Sequence, residues 1–253
     1  MALVPGVTIC TLDGNVHAAW SDASRGDLRP TGDGPGDGRA LAEFAADLGH
    51  VTGDCIERVA WQSQVHGSEV RSVSWNAASG SPTGAPTLWY LGVGDAAVSP
   101  TPGVALCVLT ADCGPLALSS PEGIFGAVHA GWRGLIDGVV EQAVERMREL
   151  GATDVTAALG PCIHAPCYEF SVAEIDKVAA AYGPAVRGTT TDGSPALDLA
   201  AGVRAAATVA GARMVGGVDV CTACGGGLFS HRARADTGRQ ALLVWSSAPP
   251  RPS

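Results

Sequence analysis

The chain has 253 residues, a formal net charge of −9, 46% hydrophobic and 16% charged residues. That composition supplies a sizeable core and excludes a disordered polymer. Lysine occurs once, at Lys177, so no basic stripe exists to neutralise a phosphate backbone, and nucleic acid is not an expected partner.

Residues 1–20 contain neither Lys nor Arg and no continuous apolar core, unlike a secretory signal. The longest strongly apolar stretch, Val104–Leu109, is too short to span a bilayer. The expectation is a cytoplasmic protein whose eight cysteines stay reduced. Composition does not shift along the chain, which predicts one domain over 1–253.

Val7–Leu12 and Val16–Trp20, joined by Asp13-Gly14-Asn15, predict a β-hairpin. Residues 21–38 are rich in Gly, Asp and Pro and predict a loop. Ala40, Leu41, Phe44, Ala45 and Leu48 share a helical face, with Gly49 as the expected stop. Strands are expected at Arg58–Gln62 and Glu69–Trp75, then a loop over 76–86. Val104–Thr110, Pro115–Ser119 and Ile124–His129 predict buried strands, with Asp112-Cys113 at a strand-to-strand corner. The apolar set from Leu135 through Val139, Val140, Ala143, Val144 and Met147 to Leu150 predicts one long helix. Beyond it come strand Val155–Leu159 and a helix opened by the Ser171/Glu174 capping box. A helix over Asp198–Ala210 and strands at Met214–Val220, Phe229–Arg232 and Ala241–Trp245 complete the series. This irregular alternation predicts an α/β chain with mixed sheets.

Three motifs carry chemistry: Gln64-Val65-His66-Gly67, Ala111-Asp112-Cys113, and His129-Ala130-Gly131-Trp132-Arg133-Gly134. Each sets an imidazole or a thiol beside an apolar, strand-like run. Nitrogen and sulfur donors of this kind hold zinc, and a catalytic zinc keeps one position open. The spacings, 47 from 66 to 113 and 16 from 113 to 129, are too long for a local structural zinc motif. Only a folded sheet could join them. The same residues also fit a buried cysteine with two hydrogen-bonded histidines, or a Cys113–His nucleophilic pair that leaves one histidine without a role.

Other cysteines signal less. Cys221-Thr222-Ala223-Cys224 is a lone C-x-x-C and weak evidence for zinc by itself. Cys162 and Cys167, four residues between them, are expected in packing. His17, His50 and His164 stand singly. Six histidines, none in a His-x-His pair, argue against a blue-copper or trinuclear copper site.

The string from Gly94 to Gly134 contains Gly-Asp-Ala, Pro-Gly-Val-Ala-Leu, Leu-Thr-Ala-Asp-Cys and Val-His-Ala-Gly-Trp-Arg-Gly. It closely resembles the laccase-domain family of purine nucleoside phosphorylases, also named YfiH-like or polyphenol oxidase. Gln64–Gly67, Gly160-Pro161-Cys162-Ile163 with Tyr168-Glu169, Cys221-Thr222, Phe229–Arg232 and Thr237-Gly238-Arg239 resemble its further motifs. The likeness runs from about residue 56 to 245, and residues 1–55 diverge. In particular, Trp20–Asp27 stands where members carry a Thr-x-Arg-x-Gly-Gly-x-Ser segment.

The resemblance implies a four-layer α/β/β/α sandwich like a cytotoxic necrotizing factor catalytic domain. It implies zinc on His66, Cys113 and His129. It also implies phosphorolysis of adenosine, inosine, guanosine and methylthioadenosine with inorganic phosphate as co-substrate, together with deamination of adenosine. A copper-dependent phenol oxidase and a non-catalytic interaction protein are the alternatives. In the first reading Asp112 is the expected proton carrier, while Arg133, at a strand-to-helix junction, and Gln64 are expected contacts to phosphate or substrate.

Overall fold

The structure is a computed structural model that describes residues 5–30, 37–75 and 85–247. The expected loop at 76–86 and the Gly/Asp run from 32 lie largely outside the described residues. β1 (Val7–Thr11) and β2 (Val16–Ser21) form the predicted antiparallel hairpin, followed by helix α1 (Arg39–Thr52). Next come β3 (Arg58–Ser63), β4 (Val70–Ser72), β5 (Thr87–Val93) and β6 (Ala96–Ser99). The central run is β7 (Val104–Thr110), β8 (Gly114–Ser119) and β9 (Phe125–Ala130), leading into α2 (Trp132–Ile136) and α3 (Val139–Glu149). The chain continues through β10 (Thr156–Leu159), α4 (Val172–Tyr182), β11 (Arg187–Thr189), β12 (Pro195–Leu197) and α5 (Leu199–Val209). It closes with β13 (Arg213–Gly217), α6 (His231–Arg234) and β14 (Gln240–Ser246).

Two six-stranded mixed sheets result, ordered β1-β2-β14-β7-β3-β5 and β13-β10-β8-β9-β6-β4, beside a small β11-β12 pair. β3 lies parallel to β5 and β7, and β10 to β13, among otherwise mainly antiparallel neighbours. Strand alternation explains the packing. Leu106 and Val108 of β7 meet Ala117, Phe125 and Ala127 of the second sheet between the two sheets. Ala105 and Cys107 point the other way, onto Leu41, Phe44 and Leu48 of α1. The far face of the second sheet is covered by α2, α3 and α5 through Leu135, Val140, Val144, Met147 and Val203. Both faces of β7 and β8 are thus buried, which is why their sequences are apolar throughout.

Five predicted elements differ from the structure, the first being the expected strand Glu69–Trp75, which is only Val70–Ser72 (β4). Helix α1 runs through Gly49 and ends at Gly53, which takes the left-handed conformation (φ 78°). A Cβ on residue 49 would stand 2.8 Å from the Asp54 carbonyl oxygen, so Gly49 serves close approach rather than termination. The long helix is broken: α2 stops at Asp137, and Gly138 at φ 78° restarts the chain as α3. The periodicity survived because both pieces pack on one core.

Phe229–Arg232 is not a strand. Ser230 caps α6 by accepting from the Ala233 N–H, and the Arg232 N–H goes to Asp112 instead of a neighbouring strand. The expected strand Met214–Val220 is β13, one residue earlier and ending at Gly217, where any Cβ would collide with the Leu159 carbonyl. Strands β5, β6, β11 and β12 were not expected. Their short or Gly-interrupted sequences carry no alternation.

Candidate metal centre and its cavity

The three motif residues converge. Ligand atoms of His66, Cys113 and His129 all lie within 4.8 Å of one another, although they come from the β3–β4 loop, the β7–β8 corner and the end of β9. Two of these bends are strained. His66 has φ 62° and Asp112 φ 102°, values that side-chain-bearing residues seldom adopt. The Ala-Gly-Trp-Arg-Gly run is explained by space. A Cβ on Gly131 would lie 2.9 Å from His66 Cδ2 and 3.2 Å from Cys113 Sγ, and one on Gly134 would lie 2.7 Å from the Gly67 carbonyl oxygen.

One side chain that the sequence reading left without a role organises all of this. Asp95 is fully buried. Its Oδ1 accepts from the His66 N–H (2.9 Å) and pairs with His129 Nδ1 (2.8 Å), and its Oδ2 accepts from the N–H groups of Val65 (3.2 Å) and Gly67 (2.8 Å). It therefore fixes the His66 loop and orients the His129 ring together. Carboxylates that bind the second nitrogen of a ligating imidazole set its tautomer and raise its basicity. The signal was present, as the Asp of Gly94-Asp95-Ala96.

Electrostatics favour a thiolate here. Burial pushes the Cys113 thiol up, but the His129 charge and hydrogen bonds from His129 and His66 outweigh it and bring it down to about 6. Burial lowers His129, while Cys113 and Asp95 outweigh that and raise it to about 9. The protein is built to hold a negative sulfur against positive charge. Two imidazoles and one thiolate, with a carboxylate behind one ring and room above, match the donor set of an open zinc site.

A cavity of about 450 Å³ opens onto these donors. Arg29, Arg133, Arg232 and Arg239 all line it, an unusual density of cations for a chain of net charge −9. Arg29 is anchored by Asp27, which also accepts from the Arg239 N–H (3.0 Å). Burial and the neighbouring charge of Arg29 lower Arg239 from the ordinary guanidinium range. Arg232 stacks over Tyr168 (4.6 Å) and Phe170 (5.2 Å), and Arg133 over Trp132 (4.6 Å). Among the described residues no carboxylate pairs with Arg133. Crowded guanidinium groups of this kind are relieved by an anion. Helix α2, with five residues, adds only a small dipole to Arg133.

The remaining expected residues have structural partners. The Gln64 amide both donates to and accepts from the Leu109 backbone (2.8 Å each), clipping the His66 loop to β7. Asp112 accepts from Thr222 Oγ1 (2.6 Å) on Oδ1 and from the Arg232 N–H (2.7 Å) on Oδ2. By contrast, Gln62 and Thr110, which the sequence does not single out, are buried and line the cavity, and among the described residues neither the Gln62 amide nor the Thr110 hydroxyl has a hydrogen-bond partner. No helix of the described residues is long and apolar enough to cross a membrane.

Residues 35–247 match the family described as multi-copper polyphenol oxidoreductase laccase. A protein of Mycobacterium tuberculosis named purine nucleoside phosphorylase is 40% identical over 212 residues, covering 83% of this chain and 80% of that one. One of Streptomyces coelicolor with the same name is 40% identical over 217 residues, covering 85% and 84%. Among solved structures, YlmD from Geobacillus stearothermophilus aligns with a TM-score of 0.71 at 26% identity, over 92% of this chain and 93% of that one. A Neisseria meningitidis protein aligns with a TM-score of 0.71 at 25% identity, covering 96% and 100%. The family match takes in His66, Cys113 and His129 and begins beyond Arg29, and the chain belongs to this laccase-domain, YfiH-like family.

Proposed function

We propose that this chain is a zinc-dependent purine nucleoside phosphorylase, acting on adenosine, inosine, guanosine and methylthioadenosine, with adenosine deamination as a second activity of the same cavity. The observation that carries the reading is one cavity with a His66/Cys113/His129 donor set at its base, guanidinium groups around it, and the unpartnered Gln62 amide in its wall. Those three features suit, in turn, a Lewis acid, a phosphate and a purine edge. The relatives' names support the same substrate class.

When bound, zinc supplies Lewis acidity toward a phosphate or water oxygen. The chain's own groups do the rest. Asp95 holds the Nδ1 side of His129, leaving Nε2 to face the cavity. Arg133, with Arg29, Arg232 and Arg239 beside it, binds the phosphate oxygens and spreads their charge. Gln62 and Thr110 offer a donor and acceptors to the base, as Gln does to adenine N6 and N7. In phosphorolysis the C1′–N bond breaks while C1′ bonds a phosphate oxygen, through a transition state of oxocarbenium character, and the phosphate proton goes to the departing base. In deamination, water adds at C6 and ammonia leaves. Both oxygens of Asp112 already accept hydrogen bonds. This supports a positioning role that locks the Cys113 corner to α6, with proton transfer by Asp112 as the alternative. A reducing compartment, the cytoplasm, suits a centre built on the Cys113 thiolate.

The family description also names copper. A blue-copper centre uses two His, one Cys and a distant axial Met. Here neither Met147 nor Met214 lines the cavity, and the donors face an open space, which favours turnover of a bound substrate.

The test measures metal content and products with adenosine plus phosphate. Hypoxanthine or adenine with ribose-1-phosphate, abolished in Cys113→Ala, is expected. Full activity of Cys113→Ala, or oxygen uptake with phenols and no nucleoside turnover, overturns the reading.

A further inference from the structure

A second cluster of soft donors lies away from the first. Sγ atoms of Cys167, Cys221 and Cys224 all lie within 4.8 Å of one another, and all three are free thiols. The C-x-x-C is therefore not alone. The fold carries the 3-10 turn Ala165–Cys167 to it, while Cys162, the other cysteine of that segment, is buried in the core. The ring of His164 is not among the donor atoms that cluster here.

Local backbone geometry is that of a thiolate-binding turn. The His164 N–H donates to Cys221 Sγ (3.4 Å). The turn closes with the Gly225 N–H on the Cys221 carbonyl (2.8 Å). Any Cβ on residue 225 would stand 2.5 Å from that oxygen and from Val220 Cγ1. Backbone N–H groups aimed at a sulfur stabilise its negative charge, the form that metals bind. Three thiolates on a tetrahedral zinc at about 2.3 Å stand about 3.8 Å apart. Small side-chain rotations give that spacing from the arrangement observed. Cys221 is buried and Cys224 exposed, so the open side faces solvent.

We propose that Cys167, Cys221 and Cys224 hold a second, structural zinc ion, with water as its fourth ligand. Its place gives it a task. Thr222, between two of the ligands, donates to Asp112 beside Cys113, and Tyr168, next to the third, lines the catalytic cavity. The ion clamps the loop carrying Thr222 to the turn carrying Tyr168 and so braces one wall of the cavity. The site is independent of the nucleoside reading.

Zinc content of the purified full-length chain, kept under reductant, tests it. With two donor clusters, the wild type is expected to carry two zinc ions, and Cys224→Ser and Cys113→Ala one each. The double variant carries none. Cys224 is exposed, so its replacement does not disturb the core. Cobalt loaded into Cys113→Ala should show a thiolate-to-metal charge-transfer band that is lost when Cys224→Ser or Cys167→Ser is added. Undiminished zinc in Cys224→Ser overturns the proposal. So does an intact mass lower by two hydrogens with these thiols unreactive, the mark of a disulfide. Two zinc ions retained by Cys113→Ala would sink the first centre alone.

Discussion

Asp95→Asn is the sharpest probe of the centre. An amide offers one acceptor where the carboxylate offers two, and four donors depend on it: the N–H groups of Val65, His66 and Gly67, and His129 Nδ1. If the amide oxygen stays toward His129, its NH₂ faces the N–H groups of Val65 and Gly67. Two part-buried donors then lose their acceptor, at up to ~1–3 kcal/mol each. If the amide flips, its NH₂ faces His129 Nδ1, which must then accept, and the ring proton moves to Nε2, the atom proposed to bind the metal. Either way zinc binding suffers. Loss of such a supporting partner lowers metal affinity by roughly 10–100-fold, about 1.4–2.8 kcal/mol. Chelator competition measures the affinity and thermal unfolding of the metal-free protein measures the strain. The Asn variant is preferred to Ala, which would leave every donor unsatisfied at a cost comparable to the ~5–15 kcal/mol that holds a domain together. Wild-type zinc affinity together with an unchanged melting temperature in Asp95→Asn would refute this account of Asp95.

Gly131→Ala should weaken zinc binding by on the order of 10-fold, because its methyl presses on His66 and Cys113; an unaltered metal titration counts against the close approach. Arg133→Ala removes a guanidinium assigned to phosphate, a charge-assisted contact of ~1.5–3 kcal/mol. The KM for phosphate should rise by roughly 10–100-fold, with a smaller change in the KM for nucleoside, and steady-state kinetics with each substrate varied in turn separate the two. Gln62→Leu should split stability from activity. Removing an unpartnered buried amide raises the melting temperature, while turnover falls because the base loses its partner; a variant that is both less stable and fully active would contradict the assignment.

How much of this was legible in the chain itself differs from residue to residue. His66, Cys113 and His129, whose side chains the structure brings together, could be picked out because each stands beside an apolar run, and such runs mark buried strands whatever their partners are. β7, β8 and β9 were readable for the same reason and β1 and β2 from the Asp13-Gly14-Asn15 turn between them, while α5 lies where a helix over Asp198–Ala210 was expected. Helix ends were harder. Gly49 and Gly138 look alike in sequence, yet one permits a close contact inside α1 and the other takes a left-handed turn between α2 and α3; only the neighbours distinguish them. Ser230 was a legible cap hidden under an apolar Phe that suggested a strand.

The sequence by itself determined the local terms: which residues alternate, which turn, and which side chains can ligate. The tertiary structure decided the rest. Asp95 matters because four donors from distant segments meet at one carboxylate, and Arg29, Arg133, Arg232 and Arg239 matter because chain crossings bring like charges to one cavity. Cys167 joins Cys221 and Cys224 across more than fifty residues for the same reason. Those are long-range contacts, fixed by how two sheets and their helices stack, and sequence periodicity carries no information about which far segment a side chain will meet.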